Sequence, residues 1–563
     1  MMIFKRNIYR FSPEILRFSI FFTFLIKIIL FKQVDGLMTP GVGLKPAMGL
    51  STVEFWGCNI NEKLIREQVD NLFNRNFARI GYTTVLLGCG WYGDKRGDGG
   101  FMQENIKSFP SGYKNLTSYA HEKQMKIGLT QSVGDHPCLS KLKHNKPGLA
   151  GHEDQDIRLF AEWGIEHIKL EFCFVRDKIE KTLYPKFLAK DLYVPAVDSV
   201  YKHKDIRQMA IQINAWGIQE PQNWPAEKYA NMWRMGPDVD TVDSWTDVVR
   251  TINQFTTFSK FVQPGSFVDL DVLLMGRALT SNEAVTQFSF WCLAKSPLFF
   301  SFNVATVEQF PFSVLTKPSL IEVNQDSLGK AISLKRRRDG FDLWSGPLSE
   351  KRIAVFIVNY ADEYRYYNFQ LKHLGLSRAK VEDLWSDEVV DVKGSLPNQK
   401  IPPHGALVYR LSESVEIPKL NFRFYSAGDS NHGFPSRKEG LRRIGNTKES
   451  AGCWIGHKET FEFRNISGGK KGGLKVVSIS YIAADNPVEP IYPTGQRFGS
   501  ITLNNGPEIV LTWPMTGGDN NYIYRDFRVD INGFNPGESN SLKFFNPKGW
   551  APDIVEIGIQ EDP

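Results

Sequence analysis

The segment "HIKLEFCF", residues 167–174, contains the residues that most directly suggest chemistry. A short apolar pattern typical of a β-strand ends in a single acid, Glu171, two residues before Cys173. A carboxylate in that place has two interpretations. It is either a structural ion-pair partner of Lys169 or a catalytic group at the carboxyl end of a barrel strand, where barrel enzymes place their active sites.

The elements around this segment favour a barrel. From about residue 44 to residue 330, short apolar runs alternate with amphipathic stretches. Strands are predicted at 78–91, 125–132 and 165–172, and helices at 113–124 and 156–164. Repeated strand–helix units over this length predict an α/β fold, a (β/α)₈ TIM barrel that spans 37–330. Glu171 then lies at the rim that carries the active site.

The sequence after the barrel is rich in β patterns. Short apolar runs separated by turns predict an antiparallel β-sandwich domain over 331–412. Residues 413–421 have the composition of a linker. From 422 to 563, Gly/Asn/Pro turns separate further strands, which predicts a C-terminal β-sandwich that folds independently.

The N-terminal segment has the pattern of a signal peptide. Basic residues precede the apolar run "FSIFFTFLIKIILF" at 18–31, which is short for a membrane span. We therefore expect a signal peptide over 1–36, an extracellular chain, and no stable membrane insertion after cleavage. Because Lys27 interrupts the run, the alternative is an uncleaved anchor, which would indicate a structural or cell-surface protein.

Charge and cysteine spacing exclude other classes of partner. The chain of 563 residues has a formal charge of +6, and 1–36 hold six Lys/Arg and two acids, which leaves about +2. This charge predicts no nucleic-acid binding. The six cysteines lack C-x-x-C spacing, so no metal site is predicted. Two sequons, at Asn115 and Asn465, are glycosylation acceptors if the chain is exported.

Motifs in one order carry a family resemblance. They are "KPAMGLSTVEFWGCNINE" (45–62), "KSFPSGYKNLTSYAHEKQMKIGL" (107–129), "HEDQDIRLFAEWGIEHIKLEFC" (152–173), "FVDLDVLLMG" (267–276), "FSFWCLAKSPLFFS" (288–301), "EVNQDSLG" (322–329) and "GFDLWSGPL" (340–348). Together, over about 40–412, they resemble glycoside hydrolase family 27, the α-galactosidases. The resemblance implies a retaining hydrolase of O-glycosyl bonds in galactosides or related saccharides, with no required cofactor.

The resemblance also implies the catalytic pair. The family's nucleophile strand ends in Lys-Tyr-Asp-Asn-Cys, and Lys169–Cys173 match it with Glu171 at the nucleophile position. The family's Trp-Arg-x-x-x-Asp-Ile is matched by 233–239, which makes Asp238 the acid/base and Arg234 its clamp. Asp238 has an alternative interpretation as a helix N-cap, with Asp240 and Asp243 close by. A retaining mechanism requires carboxyl groups about 5–5.5 Å apart.

The sugar-holding residues depart most from the family pattern. Lys169, Arg234, Asp269 and Trp91 remain as candidate substrate contacts. Acidic, polar or aromatic residues of the family are replaced by small or apolar ones, or otherwise altered, at Leu50, Leu87, Thr130, Ser132, Phe172, Ala215 and Phe267. Since a hydrogen bond to a charged group contributes about 1.5–3 kcal/mol, we expect altered specificity or reduced activity. The alternative is a catalytically inactive carbohydrate-binding pseudoenzyme.

The framework and the C-terminal segment add further expectations. The family resemblance implies disulfides Cys58–Cys89 and Cys138–Cys173. "AGCWIG" (451–456), "FGSITLNNGP" (498–507) and "NPKGWAPDIVEIGI" (546–559) resemble a carbohydrate-binding module of family 35. Trp550, Asp553 and Trp513 are its candidate sugar contacts, although either tryptophan could instead be a core residue. Calcium binding in this module rests on family analogy alone.

Overall fold

The computed structural model describes most of the chain from residue 42 onward. The described ranges are 42–138, 146–174, 189–218, 221–222, 229–239, 244–453, 455–456, 458–485, 494–518 and 522–562. The expected signal peptide, 1–36, and the two acids Asp240 and Asp243 lie outside these ranges. Within them, no helix has the length and apolar character needed to cross a membrane.

The first domain is a barrel of eight parallel strands, as predicted. The sheet order is β7-β6-β5-β4-β3-β2-β1-β8, and a parallel bridge between Leu273 and Phe300 joins the segment after β7 to β8. The strands are β1 (Met48–Ser51), β2 (Thr84–Leu87), β3 (Lys126–Ser132), β4 (His167–Glu171), β5 (Ala210–Asn214), β6 (Met232–Arg234), β7 (Phe267–Asp269) and β8 (Leu298–Phe300).

Amphipathic helices follow the strands and cover the barrel. They are α1 (Val53–Trp56), α2 (Glu62–Asn74), α3 (Tyr113–His121), α4 (Glu153–Trp163), α5 (Ala189–Lys202), α6 (Ser244–Phe258), α7 (Ser281–Leu293), α8 (Gln309–Leu315) and α9 (Pro318–Asn324). Two of these helices begin at residues whose side chains cap the first turn. Asn61 caps α2 by accepting from Leu64 N, and Thr280 and Glu283 form a capping box at α7. The helices predicted at 113–124 and 156–164 correspond to α3 and α4.

Strand β4 shows how the sequence places polar groups inside the barrel. Successive side chains of a strand point to opposite faces. Ile168 and Leu170 are fully buried apolar side chains, whereas His167, Lys169 and Glu171 share the other face, where His167 and Glu171 contact polar groups of β5 and Lys169 pairs with Glu171. The polar side chains of β4 therefore face the barrel interior, and its apolar side chains face the surrounding helices.

Two β regions follow the barrel, and both are antiparallel. The middle region has a sheet of order β14-β13-β16-β11-β10-β9 and a separate two-stranded antiparallel sheet of β12 and β15. Its strands are β9 (Ser333–Arg338), β10 (Phe341–Pro347), β11 (Ile353–Asn359), β12 (Arg365–Gln370), β13 (Leu376–Asp383), β14 (Val389–Lys393), β15 (Ser395–Ile401) and β16 (Ala406–Glu416). Strand β16 thus extends into the segment 413–421 that the sequence suggested as a linker.

The C-terminal region consists of two antiparallel sheets. One has the order β19-β20-β27-β22-β25 with β17 also on β27, and the other has the order β18-β21-β26-β23-β24. The strands are β17 (Phe422–Ser426), β18 (Gly433–Pro435), β19 (Leu441–Arg443), β20 (Ser450–Gly452), β21 (Thr460–Ile466), β22 (Gly473–Ile482), β23 (Gln496–Leu503), β24 (Glu508–Pro514), β25 (Tyr524–Phe534), β26 (Asn540–Phe545) and β27 (Asp553–Gln560).

Polar contacts join the C-terminal region to the other two. On α6, Asn253 Nδ2 donates to Thr494 O (2.7 Å) and Thr257 Oγ1 donates to Met515 O (3.0 Å). Arg337 on β9 donates to Asn253 Oδ1 (2.5 Å) and to Gln496 Oε1 (3.1 Å). The buried guanidinium of Arg337 therefore binds all three regions together.

Both disulfides that the resemblance implied are present. Cys58–Cys89 joins the segments after β1 and β2, and Cys138–Cys173 joins those after β3 and β4. All six cysteines lie in the described ranges, and the remaining two, Cys292 and Cys453, are buried thiols. The cross-links hold the loops at the rim where the strands end.

Candidate active site

Neighbouring strands bring polar side chains into register at the carboxyl rim of the barrel. Glu171 on β4 is level with Ser132 on β3 and Asn214 on β5. Arg234 on β6 is level with Asp269 on β7. Because the strands are parallel, these side chains converge on one end of the barrel, and they form two clusters there.

The first cluster is built around Arg234, a fully buried guanidinium at the end of β6. It donates to Asp238 Oδ1 (2.6 Å), to Asp271 Oδ1 (2.5 Å) and to Asp269 Oδ2 (3.3 Å). One planar cation therefore fixes three carboxylates, a geometry for which arginine is better suited than lysine. We call this set of four residues the arginine cluster.

Asp238 is the member of the arginine cluster that faces solvent. Its side chain is 60% exposed, yet its Oδ1 also accepts the indole N–H of Trp216 (2.9 Å). The backbone N–H of Val239 donates to Asp271 Oδ2 (2.8 Å). Asp271 thus holds the residue that follows Asp238 with one oxygen and the guanidinium of Arg234 with the other.

Further hydrogen bonds support the arginine cluster from within the barrel. Asp269 Oδ2 accepts from Gln212 Nε2 (2.7 Å), whose Oε1 lies 2.9 Å from His167 Nε2. Asp269 Oδ1 accepts the N–H of Asp271 (2.8 Å), a residue at φ +78°. Every oxygen of the two buried aspartates therefore has a donor, which is the condition under which buried charges are stable.

The second cluster lies on β4 and β5 and is looser. Lys169 Nζ is 3.7 Å from Glu171 Oε1, and Asn214 Nδ2 is 3.5 Å from the same oxygen. Both distances exceed those of a good charge-assisted hydrogen bond, about 2.7–2.9 Å. Asn214 Oδ1 is buried and has no hydrogen-bond partner among the described residues. We call Lys169, Glu171 and Asn214 the lysine cluster.

Burial and charge move the pKa values of these acids in different directions. Burial raises the pKa of Glu171; Lys169 opposes this, and the negative charge of Asp238 adds to it. Burial alone would also raise the pKa of Asp269, but Arg234 and Lys169 outweigh it and lower that pKa. Burial, with Asp238 and Asp269 adding, raises the pKa of Asp271 to about 6 despite Arg234. Glu171 and Asp238 are thus close enough to interact electrostatically.

Five of the candidate residues from the sequence meet at this rim, and one does not. Glu171, Lys169, Arg234, Asp238 and Asp269 belong to the two clusters. Trp91 is fully buried, packs edge-on against Tyr113 and Phe160, and donates its indole N–H to Thr130 O (3.1 Å). Its ring is a core element between the barrel and its helices.

The candidates of the C-terminal region separate in the same way. Trp550 is 40% exposed. Trp513 is buried and packs against Tyr481 and Phe527, which is a core position. Asp553 accepts from Arg442 Nε (2.9 Å), and burial raises its pKa. Of these three, Trp550 alone presents a large aromatic surface to solvent.

Apolar groups occupy several places where the family pattern has polar ones. Leu50, Leu87 and Ala215 are fully buried at the ends of β1, β2 and β5. Phe172, directly after Glu171, stacks on Tyr193 with ring centroids 6.1 Å apart. These positions at the strand ends therefore offer no hydrogen-bonding side chain.

Sequence reasoning assigned no role to Asp271, which follows β7, and missed three further residues of the site, all contributed by β5 and the turn that follows it. They are Gln212, Asn214 and Trp216. The alternation in "AIQIN" places Gln212 and Asn214 on one face, and polar side chains at alternate positions of a buried barrel strand were the available signal. Trp216 follows in a turn at φ +48°, which no pattern indicated.

Comparison with known proteins identifies the family. A family model described as "Alpha galactosidase A" matches 53–326, and one for the α-galactosidase C-terminal β-sandwich domain matches 338–411. The chain belongs to the α-galactosidase family. α-Galactosidase 2 of Arabidopsis thaliana is 29% identical over 71% of this chain and 98% of its own length. α-Galactosidase D of Emericella nidulans is 31% identical over 67% of this chain, which spans 57% of that relative.

Solved structures of this family share the fold. α-Galactosidase I from Mortierella vinacea has a TM-score of 0.62 at 23% identity and covers 67% of this chain and 99% of its own. A β-L-arabinopyranosidase of glycoside hydrolase family 27 from Geobacillus stearothermophilus has a TM-score of 0.57 at 19% identity and covers 67% and 98%. The family models end at residue 411, and the resemblance of the C-terminal region to a carbohydrate-binding module stays a prediction.

Proposed function

We propose that this member of the α-galactosidase family is a retaining glycoside hydrolase of O-glycosyl bonds whose specificity has shifted away from simple galactosides. The observation that carries the proposal is the pair Glu171 and Asp238. Both carboxylates lie at the carboxyl rim of the barrel, they interact electrostatically, and each has a cation beside it.

The two acids have separate roles in this proposal. Glu171 attacks the anomeric carbon while Asp238 donates a proton to the leaving oxygen; this breaks the glycosidic bond and forms a glycosyl ester on Glu171. Asp238 then takes a proton from water, whose oxygen attacks the same carbon and releases Glu171. Arg234 and Trp216 hold Asp238 in place for both steps.

The electrostatics predict a slow enzyme. Burial raises the pKa of Glu171, which opposes the ionised form that a nucleophile needs. Glu171 is thus biased against the ionised state in which it must attack, and substrate binding has to correct this.

The replaced residues at the strand ends support the shift in specificity. Leu50, Leu87 and Ala215 offer no hydrogen-bonding side chain where the family grips sugar hydroxyls. A site without those partners discriminates poorly for a galactoside, because the hydroxyls lose water without gaining protein partners. We therefore infer a substrate that has fewer hydroxyls, or an apolar group, where a galactoside would meet these three positions.

A second candidate function is a catalytically inactive carbohydrate-binding protein. The observation that favours it is the looseness of the lysine cluster, where Glu171 has contacts of 3.5 and 3.7 Å. In that case the C-terminal region binds the glycan, with exposed Trp550 as its aromatic contact. Under either function we infer export by the 1–36 signal peptide, with a carbohydrate as the partner.

Hydrolysis by the purified full-length secreted protein tests the proposal. The panel contains aryl α- and β-glycosides, among them α-D-galactosides and β-L-arabinopyranosides. Asp238→Asn and Glu171→Gln are compared with Asp387→Asn, an exposed acid of the middle domain. We expect turnover of a non-galactoside member that both rim variants lose and the control keeps, with retention of anomeric configuration by NMR. No turnover of any member would favour the second function.

A further inference from the structure

A large cleft lies where the three regions of the chain meet, away from the barrel rim. Its walls are the end of α6 at 256–260, parts of β9 and β10, the segment 416–424 and the strands β22 and β25. Its volume is about 1060 Å³, comparable with the upper end of known ligand pockets, about 300–1,000 Å³. Glu171 and Asp238 are not among its lining residues.

Two lysines of this cleft lack a counter-ion. Among the described residues, neither Lys260 nor Lys335 has a carboxylate within 4 Å, whereas Arg525, Asp526 and Arg528 of the same cleft are paired. Lys335 Nζ donates to Ser333 Oγ (2.9 Å), and Lys260 Nζ lies 4.4 Å from the centroid of the Tyr522 ring. A partly buried cation with such weak partners is stabilised by an incoming anion.

Burial and neighbouring cations both act on these lysines. Burial lowers the pKa of Lys260, and the positive charge of Arg525 lowers it further. Burial also lowers the pKa of Lys335, with Arg528 acting in the same direction and Asp526 against it. An anion in the cleft relieves this repulsion at both positions.

The acids of the cleft do not cancel this positive character. Asp526 accepts hydrogen bonds from Arg528 Nε and Nη2, each at 2.8 Å, and from Ser478 Oγ at 2.8 Å. Burial raises the pKa of Glu556, so its carboxyl group ionises less readily. The third acid, Glu416, lines the cleft together with two lysines, Lys372 and Lys419.

Neutral donors and one exposed ring complete the lining. Ser345, Ser480, Thr256 and His373 are among the lining residues, and the buried atoms Thr256 Oγ1 and His373 Nδ1 have no hydrogen-bond partner among the described residues. Arg336 donates to His373 Nε2 (2.8 Å), so Nδ1 carries the hydrogen and is a donor. Phe424, 55% exposed, offers an apolar face for a sugar ring.

We propose that this cleft binds an acidic saccharide, an oligosaccharide whose carboxylates pair with Lys260 and Lys335 and whose hydroxyls bond to the serine-rich wall. The lysines select the charge, and the hydroxyls with Phe424 select a sugar over a simple inorganic anion. The site is independent of the proposed hydrolase chemistry, because it shares no residue with the two rim clusters.

Calorimetric titration of the full-length protein tests this site. The probes are trigalacturonate, its methyl-esterified neutral counterpart, and inorganic sulfate. We expect trigalacturonate to bind and its affinity to fall as salt is raised, with the ester and sulfate at least tenfold weaker. Lys335→Gln and Lys260→Gln should each weaken trigalacturonate by about tenfold or more, since each removes a charge-assisted contact.

Lys63→Gln is the matched control, a lysine whose side chain is 87% exposed on α2, a helix that contributes no residue to the cleft. It should bind trigalacturonate like the unaltered chain, and thermal melts should show all three variants folded. The proposal is overturned by absent binding, by equal affinity for the neutral ester, by equal affinity for sulfate, or by folded lysine variants that bind normally. Glycoside hydrolysis is not part of the readout, so failure here leaves the rim function standing.

Discussion

The two halves of the barrel rim hold their carboxylates in very different ways. In the arginine cluster, Asp238 receives donors at 2.6 and 2.9 Å, and the buried Asp271 has donors on both oxygens. In the lysine cluster, the contacts to Glu171 are 3.5 and 3.7 Å. The first half is a closed hydrogen-bonded network, and the second is an ion pair that is not fully formed.

The difference follows from the residues that build each half. Arg234 presents a rigid fork that reaches three acids at once, whereas Lys169 is a single point charge on a flexible stem. The family pattern places an aspartate where this chain has Glu171, so the carboxylate lies one methylene further along. The half built on Lys169 and Glu171 therefore has longer contacts than the half built on Arg234.

Removing Arg234 should give the largest effect on stability. Arg234→Met leaves Asp269 and Asp271 buried without their cation, and breaking such a network costs about 3–5 kcal/mol. We expect the free energy of unfolding, measured by urea titration at pH 7, to fall by that amount.

Lys169→Met is the matched variant for the other half. Its partner Glu171 already has a raised pKa, so it can take up a proton when the cation is lost. We expect less than half of the loss seen for Arg234→Met. Equal losses would show that the two halves are held equally firmly and would remove the basis of the comparison.

The pH dependence of stability should reveal the raised pKa of Asp271, a buried acid of the arginine cluster. Asp271 has a pKa of about 6 in the folded chain, against about 3.9 when unfolded. An acid with a raised pKa binds its proton more tightly in the folded state. Its contribution favours folding below pH 4 and is lost as the pH rises through 6.

Comparing the unaltered chain with Asp271→Asn isolates this contribution. The stability of the unaltered chain relative to the variant should fall by up to about 3 kcal/mol between pH 4 and pH 7, at about 1.4 kcal/mol per pKa unit. Urea unfolding at four pH values measures it. A difference that stays constant with pH would show that Asp271 is ionised throughout that range.

Shortening Glu171 should tighten the loose half. Glu171→Asp moves the carboxylate back by one methylene toward the family position, and a displacement near 1 Å is worth about a hundredfold in rate. We expect kcat/KM on the best substrate of the panel to rise by about ten- to a hundredfold. A fall in rate would mean instead that Glu171 is matched to a substrate of its own.

Much of this architecture could be predicted from sequence because it depends on local patterns. The alternation in "HIKLEF" specified β4 and placed Glu171 at its end, and the structure has β4 at His167–Glu171. The cysteine pairs followed from the family resemblance and are present. Strand periodicity and motif order are short-range signals, so they survive even where the site itself has changed.

The positions of Trp91 and Trp216 depend on turn geometry, which the periodicity of the sequence does not predict. Trp91 was expected at the pocket, but Gly90 at φ +81° turns the chain so that the indole enters the core. A Cβ at Gly90 would lie 2.3 Å from Cys58 O, so this turn needs glycine. Trp216 shows the reverse case, since its turn brings an unpredicted indole to Asp238.

The smallest expected effect concerns that indole. Trp216→Phe keeps an aromatic ring but removes the N–H that donates to Asp238 Oδ1, while Arg234 continues to bind the same oxygen. Because Asp238 is exposed and keeps its cation, we expect a loss of about 1 kcal/mol or less in unfolding free energy. A loss as large as that of Arg234→Met would mean that the turn, rather than the guanidinium, holds the arginine cluster together.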